Sequence, residues 1–182
     1  MNNYYSKLNL DINIDIDFEQ YKTSIVQARV PNSIIDDAAH ATLLKEFNIQ
    51  IQWLEMFYLK PFAKHQIHVD GHELNDKAKL NYIAGGQGSN MIWYRPNNVN
   101  NITSGISMAN TKYLRIPDKD AIEAERQELH HFNIVNVGCL HTVENADKDR
   151  YCLSIALNDA TTAERLTYPE LQERFKLFII TV

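Results

Sequence analysis

From Leu8 to Glu19 the chain reads LNLDINIDIDFE, with Leu10, Ile12, Ile14 and Ile16 on one face and Asp11, Asn13, Asp15 and Asp17 on the other. A period of two predicts a half-buried strand with a mostly acidic outer face. A solvated face protected from edge pairing explains that row better than a cation site does. After Pro31-Asn32-Ser33 the apolar spacing becomes helical through IIDDAAHATLLKEF. Strand-like runs follow at residues 51–59, 65–70, 78–85 and 90–94, separated by Gly, Pro and Asn clusters. Residues 95–120 are too polar for core, and a loop of that length is expected to be a lid or binding loop. AIEAERQEL (121–129) is expected to form a short helix, and residues 133–143 and 150–157 two further strands. The final TYPELQERFKLF opens with a Thr167…Glu170 capping box and predicts a helix. Strands that do not alternate with helices argue against a parallel α/β sheet and for a mainly β sandwich or jelly roll with flanking N-terminal and C-terminal helices.

The length, 182 residues, suits one domain spanning 1–182. No apolar run approaches the roughly 18 residues of a membrane span. The polar, acidic start MNNYYSKLNLDINIDID lacks the basic and apolar regions of a signal peptide, so a cytoplasmic location is expected. Cys139 and Cys152 are too few for a disulfide framework and sit in apolar runs, as small buried thiols do. A net charge of −5 argues against wholesale binding to a phosphate backbone. Arg95, Lys112, Arg115 and Lys119 form a local basic cluster that a solvated loop explains equally well.

Chemistry concentrates in HQIHVDGH, residues 65–72. If HQIHVD is a strand, His68 and Asp70 share a face, while His65, Ile67 and Val69 point the other way, Ile67 and Val69 packing outward against a helix layer. Gly71 breaks the run and leaves His72 at a rim. In RYCLSIAL, Tyr151, Leu153, Ile155 and Leu157 form a packing face, and Arg150, Cys152, Ser154 and Ala156 the opposite one. An inward arginine among small neighbours fits a cavity that receives an anion, since a buried unpaired guanidinium is costly. An exposed Arg150 is the competing reading. If residues 133–143 and 150–157 form a hairpin with the loop Ala146–Asp149, His141 opposes Ser154 and faces the same way as Arg150; a loop one residue longer reverses this.

His68-X-Asp70, a histidine 71 residues further on and an arginine nine residues after that stand together in this sequence. The set resembles the 2-oxoglutarate/Fe(II)-dependent dioxygenases, whose fold is a double-stranded β-helix of the cupin type. YLKPFAKHQIHVDG resembles that family's first metal-binding strand, AKLNYIAGGQGSNMIWY the two strands that follow in small prolyl- and aspartyl-hydroxylase-like members, and VNVGCLHTVENADKDRYCLSIAL the final hairpin. The resemblance covers roughly residues 51–158. It implies that His68, Asp70 and His141 are a facial triad for Fe(II), with the three remaining positions taken by 2-oxoglutarate and O2. It implies that Arg150 holds the distal carboxylate of 2-oxoglutarate, with Ser154, Tyr58 and Asn81 as further contacts; Tyr82 and Tyr94 compete with Tyr58 as hydroxyl donors. The reaction implied is hydroxylation of a substrate C–H with release of succinate and CO2, and the segment 95–120 would cover the substrate. Lys79 stands where the family often has arginine. His65 has the wrong parity for a ligand. His130 and His131 lack an arginine at the spacing that favours His141. The expected partner is a small molecule or protein side chain, rather than nucleic acid or a membrane. A non-catalytic cupin-like module that binds a metal or small acid, or a metal-dependent isomerase or hydrolase, are the alternatives on the same scaffold.

Overall fold

Arg150–Asp159 (β12) is buried along almost its whole length, which fits a strand packed on both faces. In the computed structural model, which describes residues 2–22, 27–106 and 112–180, it is central in the first of two six-stranded antiparallel sheets. That sheet runs Tyr5–Lys7 (β1), His131–Asn136 (β10), Ala78–Gly85 (β5), β12, Ile49–Leu59 (β3) and Gln27–Val30 (β2). The second runs Thr103–Ile106 (β7), Lys112–Arg115 (β8), His68–Val69 (β4), His141–Glu144 (β11), Asn90–Pro96 (β6) and Ala121–Gln127 (β9).

Period-two alternation divides the first sheet into two faces. Leu54 and Met56 of β3, Leu80 of β5, Ile134 of β10 and Leu153 and Ile155 of β12 face a layer that contains both helices. Helix α1, Asp37–Phe47, starts later than the sequence pattern predicts, because the Asp36 carboxylate caps it by accepting the Ala39 N–H at 2.6 Å. Helix α2, Tyr168–Arg174, begins at Thr167 with the expected capping box and buries Leu171. The opposite face of the first sheet meets the second: Leu59, Ile83, Val135 and Cys152 pack with Met91, Trp93 and Val143. Among the described residues no helix is long and apolar enough to cross a membrane.

Four expectations change. Residues 8–17 keep their alternation, with Ile12, Ile14 and Ile16 against the core and the acidic positions exposed, but they form no ladder beyond isolated bridges. Residues 121–127 are strand β9 on the edge beside β6, so pairing overrides the helix preference of a Glu-rich run. Part of the polar segment 95–120 is the hairpin β7–β8, which continues the second sheet through β4; residues 107–111 lie outside the described residues. Lastly, 133–143 is not one strand. The chain leaves the first sheet at Asn136 and enters the second at His141, so β11 pairs with β4 and β6 while β12 pairs with β3 and β5. The expected β11–β12 hairpin does not form. Asn145 shapes the crossing instead, donating to the carbonyls of Leu59, Lys60 and Lys148.

Candidate metal centre and its cavity

Antiparallel pairing sets His141 directly opposite His68, and period two puts Asp70 on the His68 side. Ile67 and Val69 turn the other way and pack with Ile116 and Leu140, a cluster of strand and loop residues rather than the helix layer expected. The donor atoms of His68, Asp70 and His141 all lie within 4.8 Å of one another. Asp70 Oδ1 is 3.3 Å from His68 Nε2 and 3.9 Å from His141 Nε2. Donors sharing one ion at bonds of about 2.1 Å lie about 3.0–3.4 Å apart, so His68 and Asp70 already stand at that spacing and His141 closes by a few tenths of an ångström.

Each imidazole is aimed by its other nitrogen. His68 Nδ1 donates to the Gln66 carbonyl at 2.8 Å, and His141 Nδ1 to the Cys139 carbonyl at 2.9 Å. A carbonyl only accepts, so Nδ1 carries the proton in both rings and Nε2 faces Asp70. Burial pushes the His141 pKa down to about 4, leaving it neutral as a ligand must be. Burial disfavours the charged form of His68 too, but the hydrogen bond and charge of Asp70 outweigh it and raise its pKa. Asp70 is held well below the usual carboxylate range despite its burial, chiefly by the Lys79 ammonium. Two neutral-capable imidazoles with pre-set tautomers and one ionised carboxylate fit a divalent transition metal, and three ligands on one side leave positions open.

Lys79, a departure from the family pattern in the sequence, sits at the centre of the site's charges. In the structure its buried ammonium lies 2.8 Å from Asp70 Oδ2 and 3.1 Å from Glu55 Oε2. Gln27 donates to Glu55 Oε1 at 2.9 Å, and Arg29 lies 3.5 Å from the same oxygen. Strand parity contained the signal: Lys79 shares a face with Asn81, and Glu55 alternates with Leu54 and Met56.

Arg150, Ser154 and Asn81 lie on the inner face of the first sheet, across from the triad. Arg150 is buried, which pulls its pKa down, and among the described residues no carboxylate lies within 4 Å of it. Cys152 shares the inner face of β12 with Arg150, and burial raises its pKa. Ser154 donates its hydroxyl to Asn81 Oδ1 at 2.8 Å. Tyr58 does not join them. It stands opposite Tyr151 on the helix-facing side and donates to Asp149 at 2.8 Å, because parity separates it from Phe57 and Leu59. Tyr82 shares that outer side, and Tyr94 packs with the Ile67 and Val69 cluster.

A cavity of about 630 Å³ opens beside the triad. His65 lines it, contrary to the parity expectation, because β4 spans only two residues and no ladder extends the alternation back to position 65. Its Nε2 is buried without a hydrogen-bond partner among the described residues, and burial lowers its pKa to about 4. His72 lies on the cavity wall past Gly71. Tyr113, from the polar segment, brings its ring within 6.2 Å of the His68 ring, seated over Gly105 of the paired strand. Arg29, Trp53, Glu55, Lys112 and Arg165 also line the cavity.

No protein-family model matches the sequence, and no curated protein does. Among solved structures the chain is similar to a mutant oxalate decarboxylase from Bacillus subtilis, at 12% identity and a TM-score of 0.30, over 65% of this chain and 23% of that one. It is also similar to peruvianin-I, a cysteine peptidase from Thevetia peruviana latex, at 8% identity and a TM-score of 0.31, over 88% of this chain and 96% of that one. The chain spans less than a quarter of the decarboxylase's length. At this distance neither likeness carries the functional reading, which rests on the geometry of the site.

Proposed function

We propose that the protein is a 2-oxoglutarate- and Fe(II)-dependent oxygenase, with its two sheets forming a double-stranded β-helix. The observation that carries this reading is a metal-type donor triad on one sheet and, on the inner face of the other, a buried arginine with no carboxylate within 4 Å among the described residues. His68 Nε2, His141 Nε2 and Asp70 Oδ1 would hold the ion. Fe(II), when bound there, supplies the activation of dioxygen that splits 2-oxoglutarate into succinate and CO2 and hydroxylates a substrate C–H. Lys79 fixes the outer oxygen of Asp70, leaving Oδ1 toward the imidazoles. Arg150 takes the distal carboxylate of 2-oxoglutarate, a match of planar fork to planar acceptor that also supplies the missing counter-charge. Ser154 and Asn81, hydrogen-bonded to each other, would be further contacts from the face that carries Arg150. Phe57 and Val137 give the cavity apolar wall that limits water.

The second reading is a binding module without turnover. It draws on the Lys79–Asp70 ion pair, which compensates the carboxylate with no metal at all. Succinate release separates the two. Fe(II)-loaded protein supplied with 2-oxoglutarate and O2 should form succinate, uncoupled from any substrate, and Asp70→Ala should abolish it. Absence of succinate from protein that binds both iron and 2-oxoglutarate would favour the binding module.

A further inference from the structure

Three same-face steps along β12 separate Arg150 from Ala156, about 20 Å at 3.4 Å per residue, and Trp53 of β3 stands opposite Ala156. At this second end of the interior two buried donors have no acceptor among the described residues, Trp53 Nε1 and Arg165 Nη1. Both residues line the cavity. Arg165 follows the turn after β12 and is fixed by donating from Nη2 to the Ala78 carbonyl at 2.7 Å. Its guanidinium carbon lies 5.4 Å from the centre of the Trp53 ring, and that of Arg29 lies 4.8 Å from it, both within cation–π range.

Charge points the same way. The cavity is lined by Arg29, Lys77, Lys79, Lys112 and Arg165 against two carboxylates, Glu55 and Asp70. Lys79 pairs with both acids and Arg29 with Glu55, while among the described residues no carboxylate lies within 4 Å of Arg165. In a chain of net charge −5 this is a local reversal of sign, and a cleft lined by one sign concentrates ligands of the other. A buried donor with no acceptor is costly, and both of these belong to residues of one cavity wall.

We propose that this end binds the anionic head of a small-molecule substrate, a carboxylate or a phosphate. The Arg165 and Arg29 guanidiniums, held beside the Trp53 ring, supply the charge that takes the head, and the carbon body reaches toward the triad. About 630 Å³ accommodates a metabolite of ordinary size. The word substrate rests on the oxygenase reading; the anion site does not.

The test is a titration of the metal-free full chain with hexanoate, hexyl phosphate and the neutral control hexanol, followed by tryptophan fluorescence. Trp53 reports from the site, and Trp93, the other tryptophan, is wholly buried elsewhere. At least one anion should bind saturably and hexanol should not, and the tighter anion names the head group. Arg165→Gln and Arg29→Gln should each weaken binding tenfold or more, with Arg165→Lys recovering part. Arg29 is half exposed on an edge strand, so its variant carries the test if the Arg165 variant misfolds. No saturable change with either anion, or unchanged affinity in the variants, would overturn the proposal. Fe(II) and 2-oxoglutarate binding, read separately by visible absorption, should survive Arg165→Gln. Loss of that signal only in the variant would overturn the separateness of the two ends. Its absence from wild-type protein that still binds the anion would remove the oxygenase reading and leave the anion site standing.

Discussion

Lys79 decides much of the local electrostatics with one ammonium. Its aliphatic stem comes from a strand whose Leu80 neighbour is wholly buried, and its charge sits between Asp70 and Glu55. Removing it takes the ammonium from two interior carboxylates and leaves Asp70 with His68, and Glu55 with Gln27 and Arg29; losing one partner of a buried pair costs about 3–5 kcal/mol. Lys79→Met should therefore lower the melting temperature of the metal-free protein sharply. Mn(II) should restore more of it in the variant than it adds to wild type, because the ion replaces the missing positive charge. Calorimetry with and without Mn(II) reads both effects. His65 supports a second prediction. Its pKa is depressed to about 4, against about 6.5 when unfolded, and that of His141 likewise. Between these values the unfolded chain binds more protons at these two positions, so their contribution is full above about pH 6.5 and falls as pH drops toward 4, while the raised pKa of His68 works in the opposite sense. Each of the two depressed imidazoles contributes on the order of 2–3 kcal/mol to that fall. His65→Leu should make the loss shallower in urea melts of metal-free protein across this range.

At the scale of elements, the turn after β5 governs Arg150. Gly85 and Gly86 both have positive φ, and a Cβ on Gly86 would come within 2.6 Å of the Arg150 Cβ and Cγ. The backbone lies flat on the arginine stem, which only glycine permits. Gly86→Ala should displace the guanidinium and weaken 2-oxoglutarate binding at least tenfold, with Mn(II) affinity unchanged, by isothermal titration of each ligand. Elements also mark where sequence reading held and where it failed. Runs with one buried and one polar face, or two buried faces, were legible: β3, β5, β6 and β12 fall within a few residues of their expected limits. Glu-rich β9 was not, because its strand state comes from pairing with β6 and not from its own residues. The crossing between β10 and β11 was hidden for a related reason. An apolar run that changes sheets looks the same in one dimension as a run that continues. His141 still faces the interior that Arg150 faces, by sheet-to-sheet opposition instead of the hairpin register expected.

Taken whole, the molecule places its polar side chains along one interior between two sheets. The triad comes from the second sheet, while Lys79, Glu55 and Arg150 come from the first. His68, Asp70 and Arg150 were legible because strand parity puts each of them on a face. Tyr58 was misplaced by analogy when parity alone would have set it outside. Trp53 and Arg165 gave no sequence signal, since their meaning depends on a turn that returns the chain past β12 to β3. On the proposed function, one chelate bridges the sheets, with iron on the triad and the far carboxylate of 2-oxoglutarate on Arg150. Anaerobic titration of Fe(II)-loaded protein with 2-oxoglutarate tests it most directly. Wild type should develop a weak, saturable visible absorption band, and Arg150→Ala should need at least tenfold more 2-oxoglutarate to reach it. No band in wild type, or the same titration curve in Arg150→Ala, would contradict the account.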